Sequence, residues 1–201
     1  MSRLPHLPYA EWDLESLADA SPGMKPPQLT VLELFAHHPA LARAFLAYNR
    51  YLNGRRSTLP PRVRELAILR VAWRRRCRYE WAQHVRMAAK AGVTPEEIAL
   101  IRAGGGVGGA DALARLVIGA VDELDANSDL SDETYQALAA EFGEQQLMDL
   151  VFTIGTYVLL AMAFNAFGLE LDPGLDDEGF DTTDATPHLA PDPQGTPRKG
   201  T

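Results

Sequence analysis

The chain has 201 residues, a hydrophobic fraction of 46% and a formal net charge of −8 at pH 7. The length suits one domain with tails, and the hydrophobic fraction is ordinary for a globular protein with a buried core. The acidic balance excludes a typical nucleic-acid-binding protein, which needs a basic face. A single cysteine cannot form an intrachain disulfide, and the first residues lack the apolar run of a signal peptide, so we predict a cytoplasmic protein.

Composition divides the chain into three parts. Residues 1–28 are rich in proline, and we predict an arm that lies across the body or across a neighbouring subunit. Residues 29–170 carry the helical signals and form the predicted domain. Residues 171–201 contain an acidic cluster followed by Pro, Thr, Gly and Asp, and we predict a disordered tail.

Helix-starting residues, apolar stripes and closing glycines follow one another through the central part of the chain. No segment alternates with a period of two, so the predicted fold class is all-α. The glycine run at 104–109 has no strand before it and no lysine of a phosphate loop, and we interpret it as a flexible linker. The expected helices run from Pro39 to about Gly54, from Pro61 to about Trp73, from Cys77 to Ala91, from Pro95 to the glycine run, from Asp111 to about Leu124, from Ser131 to Phe142 and from Glu144 to Phe167.

The last of these helices lies in the most apolar stretch of the chain, Leu147 to Leu169. Its length would allow a membrane span. The stretch contains Asp149 and several small residues, and it lacks basic flanks. We therefore predict a buried helix and no membrane partner.

Polar groups share the apolar face of the helix that begins at Cys77. Spacings of three and four place Cys77, Glu80 and His84 on one side of this helix, together with Trp81. Burying such groups costs roughly 1–3 kcal/mol each unless they have partners. The preceding helix is apolar almost all round except for Glu65, and a short link would fold the two helices into an antiparallel hairpin. Glu65 could then approach His84.

In a buried site that excludes water, two carboxylates and an imidazole have pKa values that are shifted away from one another, as acid–base catalysis near neutral pH requires. The same residues could instead form a buried Glu–His pair whose members only satisfy each other's hydrogen-bonding groups and have no catalytic role. The residues alone leave both interpretations open.

Three segments resemble the carboxymuconolactone decarboxylase family, whose superfamily includes the alkylhydroperoxidase D proteins. They are the segments at residues 64–71, 77–84 and 91–98, which read RELAILRV, CRYEWAQH and AGVTPEEI. The resemblance implies an all-helical domain with a central antiparallel helix hairpin, assembled into trimers or hexamers. It implies no metal and no cofactor.

The site motif combines two branches of this family. In the hydroperoxidase branch a glutamate precedes Cys-x-x-Cys and a histidine, and Glu65, Cys77 and His84 match three of these positions. Glu80 stands where the second cysteine would be, which rules out the usual dithiol chemistry within one chain. In the decarboxylase branch a histidine follows a glutamate by four residues, as His84 follows Glu80.

Three functions follow as hypotheses. The first is an acid–base enzyme acting on a small organic acid or lactone, by decarboxylation or a related reaction, with Glu80 and His84 moving protons. The second is a one-cysteine thiol peroxidase that uses Cys77 on a peroxide and resolves the product with an external thiol. The third is a non-catalytic oligomeric binding protein.

We predict the residues that contact the substrate only as a group that lies near the helix hairpin. A substrate carboxylate would need a basic partner, and the sequence offers arginines around the link between the two helices. The proposed substrate-binding residues are Arg70, Arg74, Arg76 and Trp81.

Overall fold

The computed structural model describes residues 2–104, 111–177 and 179–180. In these ranges the protein is built from α-helices and short 3₁₀ turns without a strand, which confirms the predicted fold class. Glu178, residues 105–109 of the glycine run and residues 181–201 of the tail lie outside the described residues. The helices are α1 (Thr30–Ala36), α2 (Pro39–Asn53), α3 (Pro61–Arg74), α4 (Arg78–Ala91), α5 (Pro95–Ala103), α6 (Ala112–Asn127), α7 (Asp132–Glu141) and α8 (Glu144–Phe167).

Helix α3 lies at the centre of the fold, in contact with α4, α5, α6 and α8. Every residue from Glu65 to Ala72 is buried. This pattern explains why α3 is apolar on nearly all of its faces, since a helix with neighbours all round leaves no side for solvent.

The turn between α3 and α4 forms a hairpin and determines where Cys77 lies. Arg76 adopts a left-handed conformation with φ of 52°. The amide of Arg76 donates to the carbonyl of Trp73 at 3.2 Å, and the amide of Cys77 donates to the carbonyl of Ala72 at 2.9 Å. These two bonds define a Schellman motif, in which the residue after the left-handed position packs back on the end of the helix. Cys77 occupies that position and is buried.

The proline-rich arm docks on the body of its own chain. Trp12 and Leu17 are buried, and two 3₁₀ turns at Tyr9–Glu11 and Ala18–Ala20 shape the arm. The second turn contacts α2. The arm therefore contributes to the core.

The first residues of the predicted tail are packed rather than disordered. The buried carboxylate of Asp172 accepts hydrogen bonds from the amide and hydroxyl of Thr30, at 2.6 and 2.8 Å, and from Tyr79 Oη at 2.8 Å. Phe180 is also buried and lies against Trp73 and Trp81. The prediction of disorder from residue 171 is therefore wrong for the described part of this segment, because local composition does not reveal the partners of Asp172.

Helix α8 is long and apolar enough to cross a membrane by length and composition, and it is the one such helix among the described residues. It contacts α3, α6 and α7, and 56% of its most apolar window is buried inside the protein. Such burial is typical of a core helix. Asp149 of α8 accepts hydrogen bonds from Tyr51, Ser57 and Thr58, which ties the loop between α2 and α3 to α8.

Candidate active site

The hairpin brings three of the four predicted site residues into direct contact. Nδ1 of His84 lies 2.8 Å from Oε2 of Glu65, and Nε2 of His84 lies 3.3 Å from Oε2 of Glu80. Glu65 comes from α3, whereas Glu80 and His84 lie one turn apart on α4. All three residues are buried. The imidazole is thus held between two carboxylates, as the spacing of the motif predicts.

Electrostatics favours a charged imidazole at this place. Burial lowers the pKa of His84, but hydrogen bonds and charges from Glu65 and Glu80 outweigh burial and raise this pKa to about 9. The site therefore holds an imidazolium between two carboxylates at neutral pH. An imidazolium can give a proton to a substrate, and a neighbouring carboxylate can accept one.

Tyr157 of α8 fixes the imidazole from the third side. Its ring meets the ring of His84 edge to face, with centroids 5.0 Å apart and an interplanar angle of 89°. Tyr157 Oη donates to Oδ1 of Asn53 at 3.2 Å, which anchors the tyrosine on α2. No sequence motif pointed to Tyr157, because a tyrosine in an apolar helix is usually a core residue.

A cavity of about 530 Å³ opens next to the imidazole. Glu80 and His84 form part of its wall, together with Tyr157, Asn53 and Arg50. Much of the remaining lining is apolar. Its larger apolar members are Leu32, Phe35, Phe45, Leu46, Leu160 and Phe164. An apolar cavity with a few convergent polar groups is the usual form of a small-molecule site.

Cys77 and Glu65 do not line this cavity. Glu65 lies behind His84, where it can orient the imidazole without touching a ligand. Burial and the charge of Glu80 raise the pKa of the Cys77 thiol to about 12, although backbone amides of Glu80 and Tyr79 act in the opposite direction. The thiol is therefore protonated at neutral pH, and thiolate is the reactive form of cysteine.

The predicted substrate-binding arginines have other partners. Arg70 forms a two-point ion pair with Asp122, at 2.7 and 2.9 Å, and Arg74 lies 2.7 Å from Asp125. Arg76 is exposed in the hairpin turn. None of the three lines the cavity, so the structure gives no support to the predicted contact with substrate.

Trp81 is also absent from the cavity wall. It is fully buried, and its ring lies 5.0 Å from the ring of Trp73 and 5.8 Å from that of Phe180. The guanidinium of Arg102 lies over Trp81, 5.3 Å from the ring centre. These contacts are those of a core residue.

Arg50 is the cation that the sequence analysis missed. Apart from His84 it is the one basic side chain that lines the cavity among the described residues. No local pattern marks it, because it is one of several polar residues on the outer face of α2. Among the described residues, no group of three or more His, Cys, Asp or Glu side chains is arranged to hold a metal ion.

The described residues form an all-helical fold with a glutamate–histidine–glutamate cluster on a helix hairpin. Two solved structures share this fold at 18% sequence identity. An uncharacterized peroxidase-related protein from Silicibacter sp. TM1040 aligns with a TM-score of 0.69 over 89% of this chain and 94% of its own. An alkylhydroperoxidase AhpD core, an uncharacterized peroxidase-related protein from Ralstonia eutropha JMP134, aligns with a TM-score of 0.70 over 86% of this chain and 93% of its own.

A family model also matches part of the sequence. Residues 39–123 match the model of the Carboxymuconolactone decarboxylase family, and this segment contains Glu65, Cys77, Glu80 and His84. The match confirms the resemblance that the three motifs predict. No curated protein matches the chain.

Proposed function

We propose that this protein is an acid–base enzyme of the carboxymuconolactone decarboxylase type, acting on a small organic acid or lactone by decarboxylation or a related reaction. One observation carries the proposal. Glu80 and His84 both line the cavity, whereas Cys77 does not. A substrate in this cavity can reach a proton donor and a carboxylate, but it has no access to the thiol.

Each group has a role that its charge supports. In a decarboxylation the electron pair of the breaking C–C bond moves toward an adjoining carbonyl, CO₂ leaves, and a proton must reach the carbon that carried it. The His84 imidazolium stabilises the negative charge that develops on the carbonyl oxygen, as fixed charges do in a buried site. The proton comes from the His84 imidazolium, passes to the carbon through Glu80, 3.3 Å away, and is replaced from solvent after CO₂ leaves. Glu65 holds the imidazole from behind.

A panel of small carboxylated lactones and 3-oxo acids tests this function. The expected result is release of CO₂ by the wild-type protein, with Cys77→Ser retaining the rate within about threefold because the thiol is not at the cavity. An enzyme that turned over none of these compounds, yet consumed hydroperoxide, would contradict the proposal.

Thiol peroxidase activity is the second candidate. Cys77 lies at the first turn of α4, where the amides of Tyr79 and Glu80 favour thiolate, and the structural neighbours are described as peroxidase-related. In this reaction the thiolate attacks the peroxide, the O–O bond breaks, and an alcohol and a sulfenic acid form. An external thiol must then reduce the sulfenic acid. The buried thiol with its raised pKa speaks against it.

Thiol labelling separates the two candidates. We expect Cys77 of the native protein to react with iodoacetamide at pH 7.5 at least about 100-fold more slowly than after unfolding in urea, because it is buried and protonated. The urea-unfolded protein at the same pH is the internal control, and mass spectrometry of the alkylated peptide gives both rates. Native labelling as fast as that of the unfolded chain would favour the peroxidase.

We also propose that the protein is a homo-oligomer, a trimer or hexamer as in the family, which contacts its copies through α8. Met148, Phe152, Leu159 and Met162 are all more than half exposed and lie on one side of this helix. Such a stripe is unusual for a surface in contact with water alone. The same exposed apolar stripe would also suit a non-catalytic oligomeric binding protein.

A charge on this stripe tests the assembly. Phe152→Glu is expected to reduce the molar mass measured by light scattering from that of an oligomer to that of a monomer, since it places a carboxylate in an apolar contact. Tyr135→Glu is the matched control, because Tyr135 is half exposed but lies on α7. A monomeric wild type, or an unchanged mass for Phe152→Glu, would rule out this interface.

A further inference from the structure

The arm and the cavity meet at one ion pair. Nη1 of Arg50 on α2 lies 2.8 Å from Oδ1 of Asp19, which belongs to the second 3₁₀ turn of the arm. Both side chains are partly exposed, at 54% and 36%. Asp19 and Arg50 also line the cavity, so the pair lies on the wall where a ligand would bind.

The arm supplies one side of that wall. Asp19, Ala20, Pro22 and Pro27 of the arm all border the cavity. The acid–base pair is provided by α4, whereas Arg50 is provided by α2. The cavity thus has a cation on one element, a proton-transfer site on another and apolar side chains between them.

We propose that Arg50 binds the carboxylate of the substrate, and that the Asp19 carboxylate occupies this place until the substrate arrives. The inference rests on the proposed acid–base function and names its substrate class. The substrate is an organic acid with an apolar body that carries a carboxylate apart from its reacting centre: this carboxylate lies at Arg50, and the carbon that loses CO₂ lies at Glu80 and His84. A guanidinium is the side chain best suited to a carboxylate, because its N–H groups can donate two parallel hydrogen bonds.

Charge supports this orientation. Glu80 and Glu65 both flank His84, so the surroundings of the imidazolium are net negative and provide no anchor for a carboxylate that stays bound during the reaction. Arg50 is the remaining cation on the wall among the described residues, and its only ion-pair partner in the described part of the chain is the exchangeable Asp19. A substrate carboxylate can replace Asp19 without leaving a buried charge unpaired, since both groups reach solvent.

The chain offers a matched control for this pair. Arg43, also on α2, forms an ion pair with Asp13 of the same arm at 3.0 Å, with side-chain exposures of 52% and 37%. Neither residue lines the cavity. The two ion pairs therefore join the same helix to the same arm, with similar distances and side-chain exposures. They differ because only the pair of Arg50 and Asp19 lies on the cavity wall.

Calorimetric titration of the full chain with phenylacetate, 3-phenylpropionate and 4-phenylbutyrate, each beside its neutral amide, tests the proposal. We expect at least one acid to bind more tightly than its amide. Arg50→Gln should weaken binding of that acid about 10-fold or more, and Arg43→Gln should change it less than twofold. Asp19→Asn should tighten it about two- to fivefold, because a competing carboxylate is removed, whereas Asp13→Asn should not.

Other outcomes overturn the inference. Equal affinity for acids and amides, no binding of any probe, or equal effects of Arg50→Gln and Arg43→Gln would each show that Arg50 does not bind a carboxylate. Circular dichroism confirms that the variants are folded. Glu80→Gln separates this result from the proposed chemistry, because it should retain binding of the acid while losing turnover. If carboxylate binding depended on Arg50 but turnover did not depend on Glu80, the proposed binding site would be supported and the acid–base mechanism would be rejected.

Discussion

Glu80→Gln is expected to lower kcat by about 10²- to 10⁴-fold on any substrate that the wild-type enzyme decarboxylates, the range typical of a lost acid–base group. Glutamine has nearly the same shape as glutamate, so the cavity should keep its form. It cannot accept or give a proton at the position 3.3 Å from Nε2 of His84. KM should change less than threefold, because in the proposed binding mode Arg50 and the apolar wall, rather than Glu80, hold the substrate.

The control for this variant is Glu96→Gln. Glu96 is exposed at the start of α5 and lies away from the cavity, so its substitution should leave kcat unchanged. Steady-state rates of CO₂ release provide both numbers. A Glu80→Gln enzyme with the wild-type kcat would show that this carboxylate takes no part in the reaction.

Glu65→Gln is expected to lower the pKa of His84 and to destabilise the protein most strongly at low pH. Burial alone would lower the pKa of His84. The hydrogen bond with Glu65 is the largest of the effects that raise this pKa to about 9. A folded-state pKa above the unfolded value of 6.5 contributes stability that is fully present below pH 6.5 and is lost as pH rises through 9. A shift of this size corresponds to about 3 kcal/mol of unfolding free energy.

Urea unfolding at pH 6 and pH 10 measures this linkage. The wild type should lose stability between the two values, and the loss should be smaller in Glu65→Gln. Glu33→Gln is the matched control, because Glu33 forms a contact of 2.9 Å with His6, whose side chain is 70% exposed. NMR titration of His84 gives the pKa directly. A His84 pKa near 6.5 in the wild type, or equal values in wild type and Glu65→Gln, would contradict the description of the site.

The helices of the core and the contact between Glu80 and His84 could be predicted from the sequence. Pro61 and Pro95 mark helix starts, and both lie at the first position of a helix in the structure. The spacing of Glu80 and His84 places them on one face because a helix repeats every 3.6 residues. These features depend on neighbours along the chain, which is why the sequence reveals them.

The sequence pattern did not predict helix α1, and it wrongly predicted disorder at the start of the tail. Both errors have the same physical cause. Leu29 precedes α1 and provides no side-chain cap. The cap comes instead from the carboxylate of Asp172, which accepts from the amide of Thr30 across 142 residues of sequence. A bond between such distant residues leaves no local pattern in either segment.

The arginines show a further limit of local patterns. Arg76 occupies a left-handed position that usually belongs to glycine, so residue type did not reveal the Schellman geometry of the predicted hairpin. The partners of Arg70 and Arg74 lie on α6, about 50 residues further along the chain. Arg50 lies on the cavity wall beside Asp19 because the arm folds back against α2, which no spacing in the sequence indicates.

The most direct test of the account compares two rates in wild type, Glu80→Gln and Cys77→Ser at pH 7: CO₂ release from a carboxylated lactone and consumption of an organic hydroperoxide with a thiol reductant. We expect CO₂ release that is lost in Glu80→Gln and retained in Cys77→Ser, because Glu80 lines the cavity and Cys77 does not. Hydroperoxide consumption that disappears in Cys77→Ser, without release of CO₂ by the wild type, would contradict it and make Cys77 the reactive group.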